Sequence, residues 1–140
     1  MFILLVINLI LVTDSSFLLS LIEGNDETTE IWGKAKAEGN RIFVSTISIA
    51  FFASKSLQEG KGEYIDLMLA VLRQTLNVNI VVSDIGIAID AGRIMNSVSV
   101  GVEEAFVLAV AHLKKAEGVL TSQKDNYFQA IEKGLIKKLL

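Results

Sequence analysis

The amino-acid sequence predicts an α/β protein of three layers, in which a parallel sheet of four or five strands has helices on both faces. The alternation of two kinds of segment predicts this fold. Short apolar runs rich in Val, Ile and Leu alternate along the chain with segments whose apolar residues recur at helical spacing. Strands separated by helices in this way form right-handed crossovers, which make neighbouring strands parallel. The length of 140 residues suits a single domain over residues 1–140.

A strand and two helices are predicted at the start of the chain. Residues 4–13 are an apolar run, as expected of a central parallel strand that is covered on both faces. Asp14 then offers an N-cap for a short helix that ends near Gly24. The next helix is expected at 26–38, where Gly39 closes it.

The middle of the chain adds two strands and two helices. Residues 41–45 form a short apolar strand, and residues 46–57 have a broad apolar face at helical spacing. After a turn with two glycines, residues 64–76 carry apolar side chains with a clear helical period. Residues 78–83 are rich in β-branched side chains and are predicted to form a strand.

The last third of the chain is predicted to begin with two helices. Asp84 caps the first, which reaches about Met95. The second is apolar on nearly all sides, begins at Glu103 and Glu104, and stops at Gly118. There follow a brief strand at 119–121, a helix at 125–133, and either an edge strand or a frayed helix at 135–140.

Polar residues follow each predicted strand. They are Asp14, Ser15 and Ser16 after the first strand, Ser45 and Thr46 after the second, Ser83 and Asp84 after the third, and Thr121, Ser122 and Gln123 after the fourth. Ligands of parallel sheets bind beyond the carboxyl ends of the strands. We therefore expect the functional site at this polar rim.

Composition limits the chemistry that the chain can perform. It has no cysteine and one histidine, His112, which excludes a disulfide scaffold, a thiolate zinc site, a cysteine nucleophile, a pair of histidine ligands and a standard Ser-His triad. His112 is expected to satisfy a carbonyl at the end of its helix and is given no functional role. The 16 acidic residues leave carboxylates that hold a hard cation as the most plausible enzymatic chemistry.

Net charge bears on nucleic-acid binding, and hydropathy bears on the cellular compartment. A net charge of −3 argues against a surface that is basic throughout and binds nucleic acid over its whole area. The apolar residues 1–12 are too short to span about 30 Å of hydrocarbon, and they lack the features of a signal peptide. We expect a cytoplasmic protein that does not associate with membranes.

Four segments of the chain carry a recognisable pattern. The first strand ends in Thr13-Asp14-Ser15-Ser16, and residues 43–53 pass from a strand into a helix. Glu103-Glu104-Ala105 opens an apolar helix, and Leu120-Thr121-Ser122-Gln123-Lys124-Asp125-Asn126-Tyr127 follows it. In this order and spacing the segments resemble the motifs of the PIN domain family.

The resemblance implies a PIN-like fold and a metal-dependent endoribonuclease. Members of the family typically cut single-stranded RNA with Mg²⁺ or Mn²⁺ ions held by carboxylates, and many are the toxin half of VapBC-type toxin–antitoxin pairs. Hard cations take oxygen ligands, and they can stabilise both the attacking and the leaving oxygen of a phosphodiester. The implied partners are single-stranded RNA and an antitoxin protein.

The family's acidic positions are only partly kept in this chain. Asp14 matches the first acid and Glu104 the third, whereas the second falls on Phe51 and the fourth on Gln123, with Asp125 two residues later. The resemblance thus implies Asp14, Glu104 and Gln123 as metal ligands, and Asp14, Glu104 and Asp125 as catalytic residues. A cation held by fewer charges binds more weakly, so the implied activity is weakened or lost.

Each candidate residue also has a structural interpretation. Asp14 can be an N-cap, and acidic residues such as Glu103 and Glu104 are favoured in the first turn of any helix. Ser16 and Thr121 can either orient a carboxylate or cap a helix. Phe51 and Phe52 are expected in the core, or in a hydrophobic wall where the family has its second acid.

Two other functions therefore compete with a ribonuclease. One is a catalytically inactive PIN-fold module that binds RNA or a protein partner through its rim or an apolar patch. The other is a receiver-type domain with Asp14 as the phosphoacceptor, although the paired acids that usually precede that aspartate are missing.

A homodimer is expected from the apolar helix faces. Residues 105–111 and 64–76 carry more apolar surface than one small core is expected to cover. Covering such faces with a second copy of the chain would remove them from water.

Overall fold

The computed structural model describes residues 8–37 and 39–140. Over these residues the strands are β1 (Ile10–Thr13), β2 (Arg41–Ser45), β3 (Val78–Val81), β4 (Gly118–Leu120) and β5 (Lys138–Leu139). The α-helices are α1 (Ser15–Ile22), α2 (Asp26–Ala37), α3 (Thr46–Gln58), α4 (Glu63–Gln74), α5 (Ile85–Ser97), α6 (Val102–Lys114) and α7 (Phe128–Glu132), and a 3₁₀ helix (Lys124–Tyr127) precedes α7.

The strands form one sheet in the order β3-β2-β1-β4-β5, and all four neighbouring pairs are parallel. This confirms the predicted α/β class and the upper of the two predicted strand numbers. Receiver domains have the order 2-1-3-4-5, so the sheet does not fit the receiver alternative. Of the strand predicted at 4–13, residues 4–7 lie outside the described part of the chain, as does residue 38 of the helix predicted at 26–38.

Alternate residues of the central strands pack on opposite faces of the sheet. Val12, Phe43 and Val119 belong to one core cluster, together with buried residues of α5 and α6. Leu11 and Ile42 pack on the other face, against Phe17 of α1 and Trp32 of α2. Burial of both faces explains why β1 and β2 are nearly continuous apolar runs rather than alternating ones.

Helix α6 is the central helix of the first cluster. Ala105 and the run from Val107 to Ala111 are buried in the chain's own core. The prediction that residues 105–111 offer a free face for dimerisation is therefore wrong. The expectation had treated an all-apolar helix as surplus, whereas β1, β2 and α5 cover it.

The end of α6 also differs from the prediction. The helix stops at Lys115, which adopts a left-handed conformation with φ 56°, and not at Gly118. Gly118 belongs to β4, where a Cβ atom would lie 3.2 Å from Leu11 Cδ2 and 3.1 Å from Lys138 Cγ. The close approach of neighbouring strands thus favours glycine at this position.

Two features of the C-terminal segment refine the predictions. The helix predicted at 125–133 is divided into the 3₁₀ helix and the short α7, and residues 138–139 resolve the final ambiguity in favour of an edge strand.

Among the described residues, no single helix is both long and apolar enough to cross a membrane, and α5 and α6 meet that criterion only as a pair bent by 118°.

Candidate functional site

The polar rim lies where the sequence predicts it, at the carboxyl ends of the parallel strands. Asp14 follows β1 and is the N-cap of α1. The residue is buried, with 3% of its surface exposed. Thr121 follows β4 beside it, and farther along the sheet the Ser45 and Ser83 hydroxyls are 3.2 Å apart. Asp14 is the centre of the rim's hydrogen bonding.

The Asp14 carboxylate accepts four hydrogen bonds. Oδ1 accepts from the Ser16 hydroxyl at 2.6 Å and from the Phe17 N–H at 3.0 Å. Oδ2 accepts from the Thr121 hydroxyl at 2.6 Å and from the Tyr127 hydroxyl at 2.8 Å. A carboxylate has about four lone-pair sites, so each of them is matched by a donor from the chain itself.

Backbone groups fix the direction of two of these donors. The Ser16 hydroxyl accepts from Ser122 N–H at 3.0 Å, and the Thr121 hydroxyl accepts from Gln123 N–H at 3.0 Å. Each hydroxyl has one proton, which it gives to Asp14 while its oxygen accepts from the backbone. This arrangement confirms the interpretation in which Ser16 and Thr121 orient a carboxylate.

The fourth donor, Tyr127, is fully buried in the cluster beneath α6. Burial raises the pKa of Tyr127 well above its usual value of 10.0, and the charge of Asp14 and the hydrogen bond to it raise that pKa further. The phenol therefore keeps its proton near neutral pH. Its hydroxyl is a permanent donor to Asp14.

Glu103 of α6 binds the first residue of α1, the helix that Asp14 caps. Its Oε2 accepts from Ser15 N–H at 2.7 Å, and its Oε1 accepts from the Ser15 hydroxyl at 2.6 Å. Burial raises the pKa of Glu103, and the hydrogen bonds from Ser15 offset part of that rise. Asp14 and Glu103 thus both bind N–H groups that the first turn of α1 would otherwise leave unpaired.

Glu104, the predicted partner of Asp14, occupies the next position of α6. Its Oε1 lies 3.4 Å from Asn126 Nδ2, and its carboxylate packs where a side chain at Gly101 would stand. Its charge, like those of Asp14 and Glu103, raises the pKa of Tyr127. The contacts of Glu103 with Ser15 and of Glu104 with Asn126 therefore place the acids of α6 on the same side of the molecule as Asp14.

The other two predicted ligands lie on the solvent side of this cluster. Gln123 and Asp125 are exposed and line a polar cavity of about 400 Å³ between the 3₁₀ helix and the start of α2. Thr121 also lines this cavity, whereas Asp14 does not. Gln123 contacts the Asp14 network through its backbone N–H, which donates to Thr121.

Phe51 stands at the position where the resemblance places the second acid. Its side chain on α3 is 44% exposed, whereas the adjacent Phe52 is 1% exposed and belongs to the core. Of the two predicted positions, the core is confirmed for Phe52, whereas the exposure of Phe51 excludes the core and leaves the hydrophobic wall. Ser48, one turn earlier on α3, is buried without a hydrogen-bond partner of standard geometry, although it lies close enough to Glu103 to lower its pKa.

These residues do not fit a divalent cation. Within the described residues, no group of three or more His, Asp or Glu side chains is arranged to hold a metal ion. Asp14 has no free lone pair, and Glu103 uses both oxygens on Ser15. His112 is elsewhere, on the outer side of α6, where Nδ1 lies 2.9 Å from Asp90 Oδ2 rather than on a helix carbonyl.

Sequence reasoning missed Glu103 and Tyr127 as members of the site. Two adjacent glutamates open α6, and its apolar residues surround the helix, so no polar stripe indicates which glutamate faces α1. Tyr127 matched an aromatic position of the motif, but its hydroxyl was given no role. A signal for it was present, since a buried tyrosine usually pairs its hydroxyl and the segment lies beside the polar rim.

Comparisons with known proteins agree with this architecture. The family model for the PIN domain matches residues 11–134. Among solved structures, VapBC2 from Rickettsia felis bound to a DNA fragment from their promoter is similar to the chain with a TM-score of 0.70 at 14% identity, covering 94% of this chain and 97% of that one. VapBC-1 from nontypeable Haemophilus influenzae gives 0.67 at 16% identity, with 92% and 96% covered.

A third similar structure is the Mycobacterium tuberculosis toxin VapC20, described as cleaving the sarcin–ricin loop. It gives a TM-score of 0.62 at 12% identity and covers 78% of this chain and 86% of that one. No curated protein sequence matches significantly. The family match spans most of the chain and the solved structures share its fold, so the chain belongs to the PIN domain family.

Proposed function

We propose that this chain is a catalytically inactive PIN-fold module that works by binding a protein partner. The observation that carries the proposal is the Asp14 carboxylate, whose four hydrogen bonds all come from the chain's own side chains and backbone. In a nuclease of this family that carboxylate would hold a Mg²⁺ or Mn²⁺ ion, which supplies charge stabilisation at the phosphodiester.

The hydrogen bonds of Asp14 oppose cation binding energetically. A hydrogen bond to a charged group contributes about 1.5–3 kcal/mol, and a buried donor that loses its acceptor costs a further desolvation penalty. A cation on Oδ2 would displace the Thr121 or the Tyr127 hydroxyl, and both are buried. With Phe51 in place of an acid, little added charge attracts the ion in return.

A weak metal-dependent ribonuclease remains the second candidate. It is favoured by the three carboxylates of Asp14, Glu103 and Glu104, whose charges all act on the Tyr127 hydroxyl. In this alternative a cation would rearrange the hydrogen bonds of Asp14 on binding.

Calorimetric titration with Mn²⁺ separates the two candidates. The wild type and Asp14→Asn should give equal, non-saturating heats, and neither should cleave a pool of single-stranded RNA oligonucleotides in the presence of Mn²⁺. Saturable binding that Asp14→Asn abolishes, accompanied by cleavage with the same dependence, would establish the ribonuclease instead.

An apolar groove between α1, α2 and α4 is the surface that we propose for the partner. It is a cavity of about 620 Å³ whose lining includes Leu21, Ile22, Trp32 and Val71, with Leu76 fully exposed at its edge. Lys36 supplies a positive charge on its lining. We propose an antitoxin-type protein whose amphipathic segment places apolar side chains in the groove and an acidic one against Lys36.

Several similar solved structures are toxin–antitoxin complexes, which supports this class of partner. The test uses the product of the adjacent upstream gene, co-expressed with the chain. Leu76→Asp should abolish the complex, because it places a charge at the edge of the apolar groove while the exposure of the residue leaves the fold intact. Leu57→Asp should not, because Leu57 is also exposed but lies on α3, outside the groove. Equal complex formation by both variants would refute the groove.

We also propose that two copies associate through the β3 edge of the sheet. β3 is an edge strand, and exposed apolar residues continue from it into α5, namely Ile80, Val82, Ile85 and Ile89. Unpaired edges and contiguous apolar patches of this kind are usually covered in soluble proteins. Sedimentation velocity should give a dimer at micromolar concentration that Ile85→Glu dissociates, and a monomeric wild type would reject the proposal.

A further inference from the structure

We infer that the Tyr127 hydroxyl is the group that closes the Asp14 carboxylate to a divalent cation, and that removing this one oxygen opens it. The inference rests on the proposed function but names a residue and a reversible cause. It makes Tyr127 a positioning residue that controls ligand access to Asp14.

The four donors on Asp14 differ in origin. Ser16 and Phe17 belong to the first turn of α1, so their bonds to Oδ1 are the local bonds of an N-cap. Thr121 and Tyr127 reach Oδ2 from 107 and 113 residues away. Oδ2 is therefore the oxygen that long-range packing closes, and the one that a substitution can open without removing the cap of α1.

Of the two donors on Oδ2, Tyr127 is the one that can be removed most cleanly. Thr121 also accepts from Gln123 N–H, so its loss would leave a backbone donor without a partner. The Tyr127 hydroxyl has its described hydrogen bond to Asp14 alone, and the ring is held by apolar packing. Tyr127→Phe thus deletes one oxygen and keeps the packing of the ring.

Acidic residues of β1 and α6 contribute negative charge at this hydroxyl. The negative charges of Asp14, Glu103 and Glu104 all act on it. With the phenol oxygen gone, Oδ2 keeps one donor, Thr121, while Glu103 on Ser15 and Glu104 beside Asn126 contribute negative charge from α6. Charges held in a site of low dielectric interact more strongly than charges in water.

A second substitution can strengthen the effect. Phe51 lies three residues after Ser48 on α3, on neighbouring positions of the helix surface. Ser48 is close enough to Glu103 to act on its pKa. A carboxylate at position 51 therefore adds negative charge on the α3 side of the same cluster, and the exposure of Phe51 makes the exchange tolerable.

The experiment measures Mn²⁺ binding by electron paramagnetic resonance of free Mn²⁺ and by calorimetry. The proteins are the wild type, Tyr127→Phe, Tyr127→Phe/Phe51→Glu, and each of these with Asp14→Asn, and Tyr64→Phe serves as the matched control. Folding is checked by circular dichroism. Loss of one competing hydrogen bond should make Mn²⁺ binding saturable in Tyr127→Phe, at least roughly tenfold tighter than the upper limit that the wild type sets, and tighter still in the double variant. Asp14→Asn should cancel the gain, and Tyr64→Phe should behave as the wild type.

The outcomes separate this inference from the proposed function. Folded variants that fail to bind Mn²⁺ overturn the inference and leave the inactive module standing. A wild type that binds Mn²⁺ through Asp14 as tightly as Tyr127→Phe overturns both. If Tyr127→Phe does not fold, Thr121→Val opens the same oxygen and must give the same gain. Failure of both variants to fold also overturns the inference, because the donors on Oδ2 would then be a condition of folding.

Discussion

The Tyr127 hydroxyl donates a hydrogen bond of 2.8 Å to Asp14 Oδ2 across 113 residues of chain. Asp14 ends β1 and caps α1, and Tyr127 ends the 3₁₀ helix after β4. The bond therefore ties the start of the described fold to its C-terminal segment. It also occupies an oxygen that a metal-dependent enzyme of this family would keep free for a cation.

Tyr127→Phe should destabilise the protein by about 2 kcal/mol, because a buried hydrogen bond to a charged acceptor is lost. Urea unfolding followed by circular dichroism measures the effect. Tyr64→Phe is the control, since Tyr64 is half-buried and its ring lies under Lys61 Nζ at 5.4 Å, so its change should stay below about 0.5 kcal/mol. Equal effects of the two substitutions would show that the bond to Asp14 contributes nothing.

Asp14→Asn should cost about 3 kcal/mol or more, because the amide turns a donor toward hydroxyl donors in a buried site. Asp84→Asn provides the comparison. Asp84 is also an N-cap, accepting from Ile87 N–H at 2.9 Å, but it is exposed. Asparagine is as good an N-cap as aspartate, so Asp84→Asn should be nearly neutral. Similar losses at both positions would reduce Asp14 to an ordinary cap.

Phe51→Ala and Phe52→Ala should differ sharply although the residues are neighbours. Phe52 is 1% exposed, and its truncation should cost about 3–5 kcal/mol by leaving a cavity. Phe51 is 44% exposed, and its truncation should cost less than about 1 kcal/mol. Chemical unfolding of both variants measures the difference, and a large loss at Phe51 would mean that this side chain is covered.

Glu103→Gln should change how stability depends on pH. Burial raises the pKa of Glu103 above its usual 4.5 in the folded state. At a pH between the pKa in the unfolded chain and the higher pKa in the folded protein, only the unfolded chain has released the proton. The free energy of unfolding of the wild type therefore falls as pH rises through this window. The free energy of unfolding of the wild type minus that of Glu103→Gln should therefore fall from pH 4.5 upward and then level off. A difference that rises with pH would contradict the assigned direction of the shift.

Much of the fold follows from sequence pattern because both sheet faces are covered. Apolar runs, N-cap aspartates and glycine stops located β1, β2 and helices α1 to α5 closely. Gly118 was misplaced for a physical reason. A glycine after a helix resembles a helix stop, and the crowding by Leu11 and Lys138 that favours it arises only when β4 lies in the sheet.

The site was predictable at Asp14 and less so around it. A strand-ending aspartate at the rim is visible in sequence, as are the hydroxyls of Ser16 and Thr121. The roles of Glu103 and Tyr127 depend on contacts across 88 and 113 residues, which no local pattern encodes. The choice of Glu104 over Glu103 depended on the rotation of α6, and an all-apolar helix does not reveal that rotation.

The most direct test of a closed Asp14 carboxylate is nuclear magnetic resonance of the ¹⁵N-labelled wild type during addition of Mn²⁺. The unpaired electrons of a bound ion broaden the signals of nearby amides. We predict that the amide signals of Ser15, Phe17 and Thr121 keep their intensity relative to the rest of the protein up to stoichiometric Mn²⁺. Selective early loss of these three signals would place the ion on Asp14 and contradict the account.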